Sequence, residues 1–262
     1  MQELIDFATE LAQASGRLIL DYYEQALRGA GPEVIQKSDA TPVTVADRQA
    51  EALMRSMIEQ RHPEHEVLGE EGGSSGPQGA ARQWVLDPID GTKSFVHGVP
   101  LFGTLIALLE EGRPVLGVIH LPATGELMIG AKGRGTTVNG RPVHVRRTAS
   151  LEEATFAFTD SARIHRMGMT DGFLELQRRV RIVRGWGDCY GHFLVAAGRV
   201  DIMMDPQLSV WDVAALKPCV EGAGGRLTEI SGADPPLGSS ALSTNGHLHA
   251  ATLAVLHGRE GH

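Results

Sequence analysis

The fold of this chain is decided by the stretch Trp84-Val85-Leu86-Asp87-Pro88-Ile89-Asp90-Gly91-Thr92. Three apolar residues lead into Asp87, which is typical of a buried strand. Pro88 cannot donate a hydrogen bond to a neighbouring strand, and Gly91 gives the backbone the freedom to turn. The sequence therefore predicts a strand that ends abruptly at this point and is followed by the start of a helix. Two carboxylates and one hydroxyl would meet at the end of that strand.

Two further acidic motifs accompany this stretch. Gly69-Glu70-Glu71-Gly72-Gly73 precedes it, and Trp211-Asp212-Val213-Ala214-Ala215 lies far downstream. If the acids of all three motifs meet, several carboxylates share one pocket. Two like charges about 4 Å apart repel by roughly 1 kcal/mol in water and by about 4 kcal/mol at an effective dielectric constant of about 20. Such a cluster is costly unless it is protonated or neutralised by cations, and oxygen ligands without His or Cys favour Mg²⁺ or Mn²⁺ over Zn²⁺.

Each of these acids also has an ordinary structural interpretation. Asp90 before Gly91 is a typical turn former, and Asp212 stands where a helix is predicted to begin. Asp47 follows Thr44 at the spacing of a capping box, so it is expected to stabilise the first turn of a helix. No spacing rule alone brings the acidic motifs together, so the residues themselves leave both interpretations open.

The composition is that of an ordinary globular protein. The chain has 262 residues, of which 42% are hydrophobic and 21% charged, and this length allows a large core in one domain or two. A formal net charge of −8 argues against a nucleic-acid backbone or an anionic membrane as partner. Two cysteines give no disulfide framework, which predicts a reducing, cytoplasmic location. The acidic N-terminus predicts no export signal, and no uncharged apolar stretch reaches membrane-spanning length.

Hydrophobic periodicity in the first half predicts two helices and a sheet. Residues 3–27 and a segment that begins near Thr44 have apolar side chains at helical spacing. Residues 105–145 contain short apolar runs separated by Glu-Gly, Thr-Gly and Asn-Gly turns, which predict a meander of largely antiparallel strands. The Gly/Ser-rich segment 72–79 is expected to be a loop.

Beyond about residue 150 the predicted strands and helices alternate, which indicates an α/β layer arrangement. The last predicted helix, 210–221, contains Pro218, which should kink it or lie in its first turns. The composition changes near residues 145–152. We therefore expect two parts, 1–148 and 149–262, that together form one compact catalytic unit.

The scattered histidines do not predict a zinc site. His62 and His65, like His247 and His249, lack companion ligands at a suitable spacing. They are expected to be ordinary surface or loop residues.

Taken together, the three acidic motifs resemble, in order and spacing, those of the inositol monophosphatase superfamily of metal-dependent phosphatases. The resemblance spans nearly the whole chain, from residues 44–47 to Gly224-Gly225. It implies a fold of the α/β (α+β) class, in the layered αβαβα arrangement of that superfamily's sugar phosphatases. It also implies hydrolysis of small phosphate monoesters with two to three Mg²⁺ ions per site, or Mn²⁺ in their place, in a protein that is usually a homodimer.

Position by position, the resemblance implies a ligand set for the metals. Glu70, Asp87 and the Ile89 carbonyl would hold the first ion. Asp87, Asp90 and Asp212 would hold the second. A third, weaker ion would lie near Glu70.

The resemblance also implies catalytic and phosphate-binding residues. Asp47 and Thr92 would orient the attacking water, which gives Asp47 a role beyond helix capping, and Glu70 completes the catalytic set. The backbone N–H groups of Gly91 and Thr92 would hold the phosphate. Water would attack directly, without a covalent enzyme intermediate.

Within the superfamily, the segments Thr92-Lys93-Ser94-Phe95 and Gly187-Asp188-Cys189-Tyr190 are similar to the histidinol-phosphatase branch. Its substrate, L-histidinol phosphate, is cationic away from its phosphate, so the carboxylates of Asp188 and Asp205 would complement that charge. The resemblance therefore implies a histidinol-phosphatase that serves histidine biosynthesis.

Other interpretations stay open at this point. Asp188 would otherwise cap the helix that follows it, and Asp205 would lie in a turn before Pro206. Lys93 suits either a second phosphate or a solvated surface position. An inositol or broad-specificity sugar or nucleotide phosphatase would use the same site, and an inactive metal-binding regulatory homologue would share the fold. An inactive descendant is free to lose ligands, so the complete acidic set argues against the last of these.

Overall fold

The computed structural model describes residues 1–28, 34–36, 42–234 and 238–258. The helices among them are α1 (Gln2–Leu27), α2 (Val45–Arg61), α3 (Thr92–Val96), α4 (Ser161–Arg166), α5 (Thr170–Arg179), α6 (Asp188–Ala196), α7 (Val210–Val213), α8 (Leu216–Gly222) and α9 (His249–Leu256). The strands are β1 (Val34–Gln36), β2 (Pro42–Thr44), β3 (Glu66–Gly69), β4 (Gly73–Ser75), β5 (Arg82–Asp90), β6 (Gly103–Glu110), β7 (Arg113–Leu121), β8 (Glu126–Ala131), β9 (Gly135–Val138), β10 (Arg141–Val143), β11 (Thr155–Phe158), β12 (Ile182–Arg184), β13 (Ile202–Asp205), β14 (Arg226–Thr228) and β15 (Ala241–Thr244). A short 3-10 helix, Leu151–Glu153, precedes β11.

Two mixed sheets form the frame of the described part of the molecule. The larger sheet has the strand order β10-β9-β8-β7-β6-β5-β3-β4. Its neighbouring strands are antiparallel, except that β3 and β5 run parallel. The smaller sheet has the order β12-β11-β13-β15-β14, in which β11 runs parallel to both β12 and β13. Separately, β1 pairs with β2.

The two faces of the larger sheet are covered by different helices. Alternate side chains of a strand point to opposite faces, and β5 follows this rule. Trp84 and Leu86 pack in an apolar cluster with side chains of α1 and α2. Val85 belongs to the cluster on the opposite face, which contains side chains of α6, α7 and α8. The central strand of the predicted motif is therefore buried on both sides.

The smaller sheet is covered in the same way. On β13, Met203 packs with Leu194 and Val195 of α6. Ile202 and Met204 of the same strand belong to a cluster that contains side chains of α5 and α9. The layers therefore run from α1 and α2 through the larger sheet, α6 and α8, and the smaller sheet to α5 and α9. This is the αβαβα arrangement that the resemblance implied, so the prediction of the fold is confirmed.

Most predicted elements are present within the described ranges. The helices predicted from residue 3 and from Thr44 are α1 and α2, the meander consists of β6 to β10, and strands and helices alternate from β11 onward. The division at residue 148 stays a prediction. One apolar cluster combines Val85 and Leu105 from the first part with Phe193 and Leu216 from the second.

The end of β5 differs from the prediction. The strand does not stop at Asp87 but continues to Asp90, with an irregular register against β6 between these two residues. Pro88 lies inside this irregularity, where a missing N–H donor costs no ladder hydrogen bond. Its carbonyl oxygen accepts a hydrogen bond of 2.9 Å from Thr104 Oγ1. The bulge therefore lets the strand carry both aspartates before it ends.

Two other predicted elements are corrected. The single helix expected over 210–221 is divided into α7 and α8, and Pro218 is the third residue of α8. A continuous helix would need the missing Pro218 N–H to bond to Ala214, whereas a first-turn residue needs no such donor. The predicted loop 72–79 contains β4, which pairs with β3.

Close packing between α8 and the larger sheet gives a test of this arrangement. A Cβ atom on Gly117 would lie 2.1 Å from the carbonyl oxygen of Ala215. Gly117→Ala is therefore expected to lower the free energy of unfolding by about 1–3 kcal/mol, as overpacking does elsewhere. Urea denaturation measures this change. Gly185→Ala is the matched control, because its Cβ would lie 3.9 Å from the nearest atom; equal losses in the two variants would contradict the packing described here.

Candidate active site

Three aspartates from distant parts of the chain meet at the end of β5. Asp87, Asp90 and Asp212 each place a carboxylate oxygen so that all three lie within 4.8 Å of one another. Asp87 and Asp90 are brought together by the bulge, and Asp212 arrives on the first turn of α7. The sequence motifs predicted this meeting, but no local rule could have placed Asp212 there.

Asp212 combines a helix-capping bond with a place in the aspartate cluster. Its Oδ2 accepts a hydrogen bond of 2.6 Å from the Ser209 N–H, which forms a capping box at the start of α7. The same side chain belongs to the aspartate cluster. A carboxylate has two oxygens with about four acceptor sites, so the capping bond does not exclude a metal.

Burial makes this cluster electrostatically unfavourable without cations. Burial raises the pKa of Asp87 well above its usual range, and the charges of Glu70, Asp90 and Asp212 raise it further. Burial and the neighbouring Asp188 and Asp212 likewise raise the pKa of Asp90. Burial also raises the pKa of Asp212 to about 6. A positive charge close to the cluster would lower these pKa values again, because it favours the ionised carboxylates.

One carboxylate oxygen of the cluster lacks a hydrogen-bond partner within the described part of the chain. Asp87 Oδ1 is buried and has no hydrogen-bond partner among the described residues. A buried carboxylate oxygen without a partner is costly in a native protein unless an ion or water completes it. Together with the oxygen-only donor set, this atom shows that the residues fit a hard divalent cation such as Mg²⁺.

Glu70 lies beside the three aspartates but is not part of the cluster whose oxygens lie within 4.8 Å of one another. It is the first residue after β3, and its backbone N–H donates to the carbonyl oxygen of Leu86, the β5 residue before Asp87, at 3.1 Å. Its charge raises the pKa of Asp87, Asp212 and Asp47. The predicted fourth carboxylate is therefore within electrostatic reach of the cluster.

Asp47 and Thr92 bond to neighbours in their own segments. Asp47 Oδ2 accepts hydrogen bonds from the Thr44 N–H at 2.7 Å and from the Thr44 hydroxyl at 2.6 Å, which is the predicted capping box of α2. The Thr92 hydroxyl donates to the Ile89 carbonyl oxygen at 2.9 Å. Burial raises the pKa of Asp47 to about 6. The role of this pair in orienting water stays a prediction.

Gly91 is required by the turn that follows β5. Its φ angle is +82°, in the left-handed region that favours glycine, and it precedes the first residue of α3. A Cβ atom there would lie 3.0 Å from the Leu101 carbonyl oxygen and 3.3 Å from Asp188 Oδ2. The predicted turn is therefore confirmed, and it brings Asp188 next to the aspartate cluster.

A second acidic group adjoins the first. Asp188 has a φ angle of +54°, and its N–H donates to Thr159 Oγ1 at 2.9 Å. The Thr159 hydroxyl in turn donates to Asp205 Oδ2 at 2.6 Å. The Cys189 N–H donates to Asp90 Oδ2, which links this group to the aspartate cluster.

The structure corrects the alternatives considered for these two acids. Gly187 occupies the N-cap of α6 and no side-chain capping bond is formed there, so Asp188 does not cap that helix. Asp205 is the last residue of β13 and is buried, so it does not lie in a turn. Burial raises the pKa of Asp188 to about 6 and that of Asp205 to about 8; the charge of Lys93 opposes the first shift, and that of Asp188 adds to the second.

Thr159 is the residue that the sequence did not reveal. It follows β11 directly, and the ends of parallel strands are where side chains of a site gather in α/β sheets. Its position directly after a predicted strand was the only sign in the sequence that Thr159 belongs near the site. The hydroxyl is recognisable as part of the site only after β11 and β13 are known to be neighbours.

A second group of potential ligand atoms lies around His62, but its geometry does not suit a metal ion. His62, Glu64 and His65 have potential ligand atoms within 4.8 Å of one another. However, the rings of His62 and His65 stack with an interplanar angle of 5°, so their in-plane lone pairs cannot converge on one ion. His65 Nδ1 also accepts a hydrogen bond of 3.0 Å from Trp84 Nε1. His65 lies in the loop before β3, which agrees with the predicted loop placement, although its side chain is buried.

His249 is also buried and not a surface residue. Its ring nitrogens lie 3.1 Å from the Thr228 and the Thr244 hydroxyl oxygens. It therefore joins β14 and β15 to α9 as a hydrogen-bonded core side chain.

Comparison with known proteins decides the family. The model of the inositol monophosphatase family matches residues 1–260. This chain belongs to the inositol monophosphatase family. Its relatives include a histidinol-phosphatase of Chlorobaculum parvum, 41% identical over 253 residues that cover 96% of each chain. A histidinol-phosphatase of Mycobacterium tuberculosis is 46% identical over 226 residues, which cover 84% of this chain and 86% of the relative. The structure of an inositol monophosphatase from Zymomonas mobilis has a TM-score of 0.84 and 35% identity, with 98% of each chain covered.

As a member of the inositol monophosphatase family, the protein is a metal-dependent phosphatase that acts on small phosphorylated substrates. The aspartate cluster of this family member is the part of the described structure that fits the metal. In the ranges that the structure describes, no helix is both long and apolar enough to cross a membrane.

The raised pKa of Asp205 predicts a pH dependence of stability for the metal-free protein. A folded-state pKa of about 8, against 3.8 for the ordinary carboxyl group, means that the folded chain keeps a proton which the unfolded chain releases. Stability is therefore lost as pH rises towards 8, by up to about 1.4 kcal/mol per pH unit for one proton. Chemical denaturation in EDTA between pH 5 and 8 measures the slope.

Asp205→Asn should flatten this slope between pH 6 and 8, because the amide does not titrate. Asp171→Asn is the matched control, since Asp171 lies in the first turn of α5, away from this group. A wild-type slope that is unchanged in Asp205→Asn would contradict the assignment.

Proposed function

We propose that this phosphatase is Mg²⁺-dependent and hydrolyses L-histidinol phosphate to L-histidinol and phosphate. The observation that carries the proposal is the second acidic group, in which Asp188 and Asp205 lie next to the aspartate cluster. A phosphate held at the metals would place the rest of a small substrate near these carboxylates. Histidinol carries an amino group and an imidazole there, and their positive charge would lower the raised pKa values of Asp188 and Asp205 and so complement the ionised carboxylates. The two histidinol-phosphatase relatives support the same substrate.

For the metals, we propose the ligand set that the motifs indicate. Glu70, Asp87 and the Ile89 carbonyl would hold one ion, and Asp87, Asp90 and Asp212 a second, with a weaker third near Glu70. The orphan Oδ1 of Asp87 and the mutual distances of the three aspartates support this assignment. When bound, Mg²⁺ supplies Lewis acidity and neutralises the negative charge of the phosphate and of the carboxylates.

The remaining steps are assigned to the protein's own groups. Asp47 and Thr92 would orient the water for in-line attack on phosphorus. The pKa of Asp47, raised by burial to about 6, suits a group that accepts a proton near neutral pH. Thr92 bonds to Ile89, so its hydroxyl direction is fixed by the same turn that carries the metal site.

The phosphate would be held at the turn after β5. Backbone N–H groups at the beginning of a helix have no partner inside the helix, and Gly91 and Thr92 occupy that position at α3. The left-handed conformation of Gly91 sets the direction of these groups.

We also propose that the protein is a homodimer in the cytoplasm and serves histidine biosynthesis. The names of the relatives support the pathway. The net charge of −8 supports a small phosphorylated molecule, and not nucleic acid or a membrane, as the partner.

An inositol or broad-specificity sugar phosphatase is the second candidate. The similarity to the Zymomonas mobilis inositol monophosphatase favours it, since the metal site would serve either substrate. An inactive regulatory homologue is disfavoured, because the complete acidic cluster is present.

Substrate specificity is tested by phosphate release with Mg²⁺ from four compounds. These are L-histidinol phosphate, myo-inositol 1-phosphate, fructose 1,6-bisphosphate and adenosine 3′,5′-bisphosphate. We expect kcat/KM for histidinol phosphate to exceed the others by at least ~100-fold, or about 2.7 kcal/mol of discrimination. Asp87→Asn should abolish turnover of all four while the fold is kept. Similar kcat/KM values for all four compounds would agree with a phosphatase but would rule out histidinol phosphate as its specific substrate.

The role of Asp188 is tested by Asp188→Asn, since asparagine tolerates the left-handed backbone. KM for histidinol phosphate should rise roughly tenfold or more, because a hydrogen bond to a charged group is worth about 1.5–3 kcal/mol. KM for a neutral sugar phosphate should change much less. Asp160→Asn is the control, because Asp160 caps α4 and is a nearby acid of the same type. Equal changes for both substrates would remove Asp188 from the specificity argument.

A further inference from the structure

Behind the turn that carries Glu70, α2 presents a buried ion pair that the proposed mechanism does not use. Glu51 Oε1 and Arg55 Nε lie 2.8 Å apart, with 2% of the Glu51 side chain and 13% of the Arg55 side chain exposed. The two residues are one helical turn apart, and Asp47 lies one turn before them, so all three share a face of α2.

The ion pair binds the backbone immediately after Glu70. Glu51 Oε2 accepts a hydrogen bond of 2.8 Å from the Glu71 N–H, and Oε1 accepts one of 2.8 Å from the Gly72 N–H. Each oxygen of the carboxylate is therefore committed to one of two successive peptide groups.

Arg55 binds the far side of the same turn. Its Nη1 donates to Ser75 Oγ at 2.7 Å, and its Nη2 donates to the Gly73 carbonyl oxygen. A planar guanidinium with a fixed fork of donors can make these bonds together, which the ammonium of lysine cannot. The ion pair therefore holds the whole segment from Glu71 to Ser75 against α2.

The glycines of the acidic motif are explained by this contact. A Cβ atom on Gly69 would lie 2.4 Å from Glu51 Cδ and 2.6 Å from Arg55 Nη2. A Cβ atom on Gly72 would lie 2.9 Å from Glu51 Oε1. The space at both positions is taken by the ion pair, so the glycines before and after the two glutamates allow the turn to lie directly on it.

Glu70 is thus fixed from two sides. On one side its own N–H bonds to Leu86 in β5, next to Asp87. On the other side the next two N–H groups bond to Glu51. We propose that Glu51 and Arg55 are positioning residues that direct the Glu70 carboxylate towards the aspartate cluster and thereby set its affinity for the divalent cation. This inference rests on the metal site of the proposed function.

Three substitutions separate geometry from charge. Glu51→Gln keeps the size, but its amide nitrogen must face one of the N–H donors. Glu51→Asp keeps the charge and shortens the reach. Arg55→Lys keeps the positive charge and loses the fork. If only charge near the metals mattered, Glu51→Asp and Arg55→Lys would leave the affinity unchanged, whereas the positioning role requires all three to weaken it.

The experiment measures Mg²⁺ binding to the full-length protein by calorimetry, and Mn²⁺ binding by electron paramagnetic resonance, without substrate. Each of the three variants should weaken the tightest site by ~10-fold to ~100-fold, the range found when groups that support metal ligands are removed. At saturating Mg²⁺, kcat should stay within about 3-fold of wild type, because the positioning loss is then overcome by mass action. Glu10→Gln is the control. It breaks the exposed pair between Glu10 of α1 and Arg61 of α2, 3.3 Å apart, and should leave metal affinity unchanged.

A double-mutant cycle shows whether the effect passes through Glu70. In a Glu70→Gln background, Arg55→Lys should cause no further loss of Mg²⁺ affinity, because coupled residues are not additive. Additive losses of Mg²⁺ affinity in the double mutant would overturn the inference. Wild-type affinity in both Glu51→Asp and Arg55→Lys would also overturn it, even if the unfolding temperatures of these variants fall. If Glu51→Gln fails to fold, Glu51→Asp and Arg55→Lys decide. A wild-type protein that binds neither ion would instead overturn the metal assignment and this inference with it.

Discussion

Mutual repulsion among the buried Asp87 and the half-buried Asp90 and Asp212 at the end of β5 is the constraint on which the rest of the structure depends. Asp87, Asp90 and Asp212 lie within 4.8 Å of one another, and one oxygen of Asp87 has no partner among the described residues. Flexible side chains of like charge would move apart into solvent, so a rigid backbone is needed to hold these carboxylates together. That frame is a strand buried on both faces, with α1 and α2 on one side and α6 to α8 on the other.

Several acids in this frame combine a structural hydrogen bond with a place in or near the proposed metal site. Asp212 caps α7 and belongs to the cluster, and Asp47 caps α2 within reach of the Glu70 charge. Because a carboxylate has several acceptor sites, a local bond fixes its orientation and leaves capacity for a ligand. The functional interpretation of an acid is therefore not weakened by finding it in a helix cap.

The sequence predicted the elements better than their ends. Apolar periodicity and turn residues were sufficient for α1, α2 and the meander, since these depend on local pattern. The bulge around Pro88 was missed because it depends on pairing with β6, and Thr159 because its role needs β11 beside β13. The motifs supplied the acids of the site, whereas the support from Glu51 became visible only when α2 was placed against the turn after β3.

The joining of distant segments in one core has a consequence for synthesis on the ribosome. Val85 on β5 packs with Phe193 of α6 and Leu216 of α8, which are made much later. A nascent chain that ends before α7 lacks Asp212 and the part of the covering of β5 that α7 and α8 supply, so it cannot assemble the acidic cluster. The cluster with its unfavourable charge is therefore formed only when nearly the whole polypeptide has emerged. Binding of a cation by this cluster, as proposed above, would therefore require an almost complete fold.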